Sequence, residues 1–253
     1  MEDRPLILIT NDDGFYAKGL KELTDVMCLF GDVVVIASEQ AMSGMSNAIT
    51  VDKPLRVRKV DDESGCLRYL CSGTPVDCVK VAFNHLLGRH PDFVVSGINH
   101  GSNSSVSVVY SGTMGAAMEG CLHGIPSMGF SLCDADPEAD FSRAKLWVAR
   151  IFQKVAEKGL PVFTCLNVNI PKGEVKGMEI CRQSAGKWVE EVERRTDPRQ
   201  RDYYWLAGSF RNFEPDVEGT DVYALENGKV AVVPVSVDMT CRETLRQMKS
   251  WEF

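Results

Sequence analysis

The most constraining feature of the chain is a repeated switch between short, uninterrupted apolar runs and amphipathic stretches. Leu6 to Ile9 is continuously apolar, Leu20, Leu23, Met27 and Phe30 fall on one helical face, and Val33 to Ala37 is apolar again. That pattern reads as β-α-β. Strands apolar at every position, rather than at alternate ones, belong to a parallel sheet covered on both faces. The alternation continues with a predicted helix over about 76–87, a strand at 93–96, a helix from near Thr113, a strand around 127–132, a long helix over about 139–157 and a strand at 162–168. An open α/β sheet with helices on both faces is the economical arrangement of these elements. Residues 55–60 and 67–71 are expected to pair as a hairpin beside it.

After Pro171 the character changes. Residues 179–183, 188–192 and 203–207 read as extended segments joined by charged turns, with RRTDPRQRD as an exposed loop. The spacing suggests a β-rich arm whose Trp and Tyr content suits either a partner subunit or a ribbon folded back on its own core. One more apolar strand at 228–237 and a terminal helix over about 240–251 complete the chain. The expected division is therefore a main domain over 1–171 and an arm, last strand and terminal helix over 172–253.

A formal net charge of −7 argues against a nucleic-acid polymer as partner. No stretch approaches the roughly 20 continuous apolar residues of a membrane span, and the N-terminus lacks a signal-peptide pattern, so a cytoplasmic location is expected. Nine scattered cysteines without a C-x-x-C pair suit reduced, buried thiols.

Sites in open α/β sheets lie beyond the carboxyl ends of the strands. Four polar clusters follow such ends: Asn11-Asp12-Asp13-Gly14, a loop beginning at Met42, the run from Ser96 to Asn103, and Tyr110-Ser111-Gly112-Thr113. In a continuing strand Asp12 and Asp13 would face opposite ways; Gly14 lets the chain leave the strand so that both converge. A divalent cation would give the two carboxylates a common target, and with oxygen donors and no adjacent histidine it would be Mg²⁺ or Mn²⁺. Alternatively one of them caps the following helix. Ser43-Gly44 and Ser111-Gly112-Thr113 place unobstructed N–H groups in turns, the second at a helix start that favours an anion, although Ser72-Gly73-Thr74 shows that the same form serves ordinary capping. Asn99 and Asn103 can ligate a metal or hydrogen-bond a phosphoryl oxygen, or simply occupy tight turns. His100, alone of the four histidines in these loops, is assigned an exposed or substrate-edge role.

Taken in order, ILITNDDG, SGMSNAIT, SGTPVDCV, PDFVVSGINHGSN, YSGTMGAAMEG and GTDVYALENGKVAVVPVSVD resemble the SurE (survival protein E) family of 5′-nucleotidases over almost the whole chain. The resemblance implies a Rossmann-like main domain, a C-terminal arm exchanged within a homodimer or homotetramer, and a metal-dependent phosphatase acting on nucleoside monophosphates. Carried over by motif, Asp12, Asp13, Ser43 and Asn99 would ligate one divalent ion per subunit. Asn11, Gly44, Asn103, Ser111, Gly112 and Thr113 would lie around phosphate and substrate, and Asp12 or Asp13 would serve catalysis as general base or as nucleophile. Two departures stand out. Asn103-Ser104-Ser105-Val106-Ser107 lacks the glycine and acid of the usual N-x-G-x-D continuation, and Cys241-Arg242 stands where some relatives have a histidine nearby. Other readings of the same loops are exopolyphosphatase activity, a non-catalytic nucleotide sensor and a nucleotide-sugar transferase.

Overall fold

A computed structural model describes residues 4–61 and 65–252. Its main sheet has nine strands in the order β3-β4-β2-β1-β5-β6-β7-β13-β8. These are β1 (Leu6–Thr10), β2 (Asp32–Ser38), β3 (Val57–Val60), β4 (Leu67–Cys71), β5 (Phe93–His100), β6 (Ser127–Cys133), β7 (Thr164–Pro171), β8 (Gly177–Ile180) and β13 (Lys229–Ser236). Pairing is parallel from β4 through β2, β1, β5 and β6 to β7, while β3 on β4 and β13 on β7 are antiparallel.

The uninterrupted apolar runs are explained by packing on both faces. Ile7 and Ile9 of β1 join Val33 and Val35 under α1 (Lys18–Met27) and α4 (Ser142–Lys158). Leu8, Val34 and Ile36 face the other way, against α2 (Pro75–Val81) and α3 (Gly112–Leu122). α5 (Asp221–Glu226) covers Ala231 and Val233 of β13. The predicted hairpin forms the β3–β4 edge of this sheet. Boundaries shift elsewhere: the predicted 76–87 helix closes as a widened turn over Ala82–Leu86, and β7 starts two residues later than the apolar pattern and runs on to Pro171.

The section after Pro171 divides in two. β8, α5 and β13 complete the main sheet, whereas β9 (Gly186–Val189) pairs with β12 (Ser209–Asn212), and β10 (Val192–Thr196) pairs with β11 (Asp202–Leu206) as a separate ribbon. The extended run expected over 188–192 is broken between β9 and β10 at Glu190, whose φ is 55°. The loop expected over 194–202 is shorter than its charge suggests, because Arg194 to Thr196 and Asp202 belong to the two ribbon strands. Every residue of β10 and β11 is exposed, and α6 (Arg242–Met248) buries none of its side chains. No helix among the described residues is long and apolar enough to cross a membrane.

Candidate active site

The strand order reverses between β1 and β5: the chain leaves β1 for β2 on one side and returns to β5 on the other. Such a switch point opens a crevice at the carboxyl ends of the strands. Asp12, two residues past the end of β1, and Asn99 of β5 border it, and Asn11 and Asp13 flank Asp12 in the chain.

Local backbone geometry aims these groups. β1 ends at Thr10, and Gly14 follows the acids with φ 100°, in the left-handed region that disfavours other residues. On β5, the register against β6 slips by one residue between Ser96 and Asn99. This bulge re-aims Asn99 while Ile98 stays in the core. Gly97 sits within it at φ 125°, and any Cβ there would strike the Phe130 carbonyl.

The Ser43 loop is held from three sides. Met42 N–H donates to the Asp12 carbonyl at 2.7 Å, Ser46 N–H donates to Tyr110 O at 3.1 Å, and Ser46 Oγ donates to Val109 O at 2.6 Å. Further along, Thr50 donates through its N–H to Asp77 Oδ1 at 3.0 Å and through Oγ1 to Asp77 Oδ2 at 2.6 Å. Asp77 is the buried acid of the capping box that starts α2. One carboxylate therefore fixes both a helix start and the loop bearing Ser43.

The resulting cleft has a volume of about 260 Å³ and is bordered by Asp12, Ser43, Gly44, Asn99, Asn103 and Ser111. Thr113, Gly112, Asp13 and Asn11 are not part of this border, although the first three each meet a residue that is. Thr113 Oγ1 donates to Asp12 Oδ1 in a short hydrogen bond. A Cβ on Gly112 would come within 2.8 Å of the Asp12 Cβ, so glycine is what lets Asp12 lie against the start of α3. Asp13 Oδ2 accepts the His100 N–H at 3.0 Å. Asn11 turns inward, its Nδ2 donating to Gly14 O at 3.0 Å, with Oδ1 buried and unpartnered among the described residues. Ser111 caps α3, its Oγ accepting the Met114 N–H at 3.1 Å.

Electrostatics set the two acids apart from ordinary surface carboxylates. Burial pushes Asp12 up from 3.8 to about 6, against the lowering effect of the Thr113 hydroxyl and with a further rise from the Asp13 charge. Asp13 is also raised, chiefly by burial, with the His100 N–H acting in the opposite sense. No Lys or Arg among the described residues borders the cleft. Asp12, Ser43 and Asn99 at the border, with Asp13 next to Asp12 in the chain, carry hard oxygen donors of the kind that suits Mg²⁺ or Mn²⁺. No three His, Cys, Asp or Glu side chains cluster as a metal site among the described residues. Asn99 Nδ2 donates to Gly101 O at 2.8 Å, which orients its amide.

Three features of the site escaped the sequence reading. Asn103 is fixed by a buried polar network: its N–H donates to Asn169 Oδ1 at 2.8 Å, its Nδ2 to Ser131 Oγ at 2.9 Å, and Asn167 Nδ2 donates to its carbonyl at 2.8 Å. The signal was available, because Asn167 and Asn169 interrupt the apolar β7 run at alternate positions and so share one face. Ser105, where the resemblance leads glycine to be expected, adopts φ 51° and is held there. Its N–H donates to Asp221 Oδ2 at 2.7 Å and its Oγ to Ser184 O at 2.8 Å. Lastly, Trp188 of β9 borders the cleft.

This arrangement can be set beside known proteins. The family model described as survival protein SurE matches residues 7–190. The chain belongs to the SurE family. It is 50% identical over 252 residues to the 5′-nucleotidase SurE of Bacteroides fragilis, covering 98% of each chain. To the 5′-nucleotidase SurE of Phocaeicola vulgatus it is 47% identical over 251 residues, covering 99% of this chain and 98% of that protein. The crystal structure of the SurE protein from Aquifex aeolicus superposes with a TM-score of 0.82 at 36% identity, over 97% of this chain and 98% of that one. The sheet that carries the switch-point crevice thus has the SurE fold.

Proposed function

We propose that the chain is a phosphomonoesterase that releases phosphate from nucleoside 5′-monophosphates with the aid of one Mg²⁺ or Mn²⁺ per subunit. The carrying observation is a cleft beside the start of α3 bordered by Asp12, Ser43 and Asn99, with Asp13 next to Asp12 in the chain and bonded to the N–H of His100, which also borders it; no Lys or Arg among the described residues does. Relatives named 5′-nucleotidase SurE across nearly the full length support the same reading.

The side chains of Asp12, Asp13, Ser43 and Asn99 would hold the ion, which when bound supplies positive charge against the phosphoryl oxygens. The chain's own groups do the rest. The N–H groups at the start of α3, capped by Ser111, offer donors for a phosphoryl oxygen. Gly44, at φ 78° with open space around it, leaves its backbone accessible beside them. Asn103 is held rigidly at the far wall. The proton of the attacking water passes to a carboxylate oxygen of Asp12 or Asp13, which accept hydrogen bonds from the Thr113 hydroxyl and the His100 N–H respectively.

Assembly as a homodimer or homotetramer belongs to this reading, with 1–171 as catalytic body and 172–253 as the section that includes the contacts. An isolated two-stranded ribbon is marginal in water, yet β10–β11 carries exposed Tyr203, Tyr204, Trp205 and Leu206, and α6 buries nothing within its own chain. A second copy would cover both. Buried thiols such as Cys71, Cys78, Cys121 and Cys165 suit a cytoplasmic, reducing setting.

The test is a phosphate-release panel over nucleoside 5′- and 3′-monophosphates and short polyphosphate, each with Mg²⁺, Mn²⁺ or neither. Metal-stimulated release from 5′-monophosphates supports the proposal, and 3′ or polyphosphate turnover would extend it. Tight nucleotide binding without phosphate release would replace it by a sensor.

A further inference from the structure

We infer that Trp188 is the platform on which the nucleobase of the substrate stacks, so that the arm, and not the catalytic sheet, distinguishes nucleotides from other phosphomonoesters. This inference rests on the phosphomonoesterase reading of the cleft. Trp188 borders the same opening as Asp12, Ser43 and Ser111, although it lies 77 residues beyond Ser111 in the chain. It is half-buried, and its one ring neighbour among the described residues is Phe210, 6.2 Å away and edge-on. Phe210 is its register partner across the β9–β12 ribbon. Gly186 allows that packing, because a Cβ there would collide with the Phe210 ring.

The ribbon's position is fixed by buried bonds rather than by its own strands. Asp221, fully buried, accepts the Ser105 N–H at 2.7 Å, the Ser184 N–H at 2.9 Å and the Val222 N–H at 2.8 Å. Ser105 belongs to the loop between Asn99 and Ser111, and Ser184 lies two residues before β9. One carboxylate thereby locks the approach to Trp188 onto the loop that borders the phosphate side. Glu214 adds a second tie, accepting the Ala185 N–H at 2.7 Å and pairing with Arg182 at 2.7 Å. Trp188 is therefore a preorganised wall, and indole stacking accepts any base because every base presents a π-face.

The test uses full-length protein with Mg²⁺ or Mn²⁺ and compares 5′-AMP and 5′-UMP with ribose 5-phosphate, which keeps the ester and lacks the base. Trp188→Ala is expected to lower the ratio of kcat/KM for AMP to that for ribose 5-phosphate by about 5- to 150-fold, the range for losing one base–aromatic stack. Trp188→Phe should retain most of the ratio, and AMP and UMP should respond alike. An equal change for ribose 5-phosphate and the nucleotides, or an unaltered ratio, overturns the inference. Binding provides a separate readout: AMP should quench indole fluorescence, ribose 5-phosphate should not, and the quench should vanish in Trp188→Phe. A wild-type protein that hydrolyses none of these esters defeats the phosphomonoesterase reading alone, and the quench then decides on Trp188; its absence in the wild type, or its persistence in Trp188→Phe, overturns the assignment.

Discussion

Replacing Asp12 by Asn separates the chemistry of the site from its folding. Asp12 is 3% exposed, and burial raises its carboxyl from 3.8 to about 6. A folded-state value above the unfolded one means that the folded form holds the proton more tightly. The associated stability is fully present below about pH 3.8 and is lost as the pH rises through about 6. At 1.36 kcal/mol per pH unit, the gap from 3.8 to about 6 corresponds to about 3 kcal/mol of strain carried by the metal-free protein at neutral pH. Asn cannot ionise, yet its Oδ1 can still accept from the Thr113 hydroxyl. In metal-free buffer Asp12→Asn should therefore be more stable than the wild type by about 1–3 kcal/mol at pH 7.5, with the difference vanishing near pH 4. Urea denaturation of both proteins across that range measures it. Adding Mg²⁺ or Mn²⁺ should raise the melting temperature of the wild type and leave the variant unmoved, because binding to the native state alone stabilises it. The variant should release no phosphate. A variant less stable than wild type at pH 7.5, or a stability difference independent of pH, refutes the reasoning; the helix-cap alternative is already removed, because α1 starts at Lys18 with Ala17 as its N-cap and no side-chain cap bond.

Two further substitutions probe how the site is held. Gly112→Ala places a methyl group within 2.8 Å of the Asp12 Cβ and 3.0 Å of its Oδ2, so kcat/KM for AMP should fall by about 10- to 100-fold while circular dichroism stays native. Asp77→Ala removes the α2 capping box and both Thr50 bonds, and should cost about 2–4 kcal/mol in denaturant titrations. It should also raise the metal concentration needed for half-maximal activity, since the Ser43 loop loses its anchor.

Much of the fold could be read directly from residues. Runs such as Ile7-Leu8-Ile9 and Val33-Val34-Val35 are apolar at every position because each side chain meets a helix on one face or the other. The reversal of strand order at β1 and β5 was not legible, since it depends on which edge each crossover takes. Nor was the insertion of β13 between β7 and β8, as an apolar strand read alone carries no address. In the site, Asp12, Ser43, Asn99 and Ser111 stood out because each follows a strand end or opens a helix. Asp77 and Asp221 did not, because buried acids that bind backbone N–H groups look in sequence like ordinary first-turn acids. Ser105 shows how a departure from pattern can be absorbed: two hydrogen-bonding groups, the Asp221 carboxylate and the Ser184 carbonyl, hold a backbone conformation that glycine would adopt without help. Trp188 was assigned to the arm as a packing residue, and its place at the cleft depends on contacts more than 70 positions apart in the chain.

The central claim is that the Asp12–Asp13 site performs cation-assisted hydrolysis of nucleoside 5′-monophosphates. Its most direct measurement is the initial rate of inorganic phosphate release from 5′-AMP by one preparation, first stripped of metal and then titrated with Mg²⁺ or Mn²⁺. The account predicts a rate near background in the stripped protein and recovery that saturates with one ion per chain. A full rate in demonstrably metal-free protein, or no phosphate release at any metal concentration, would contradict it.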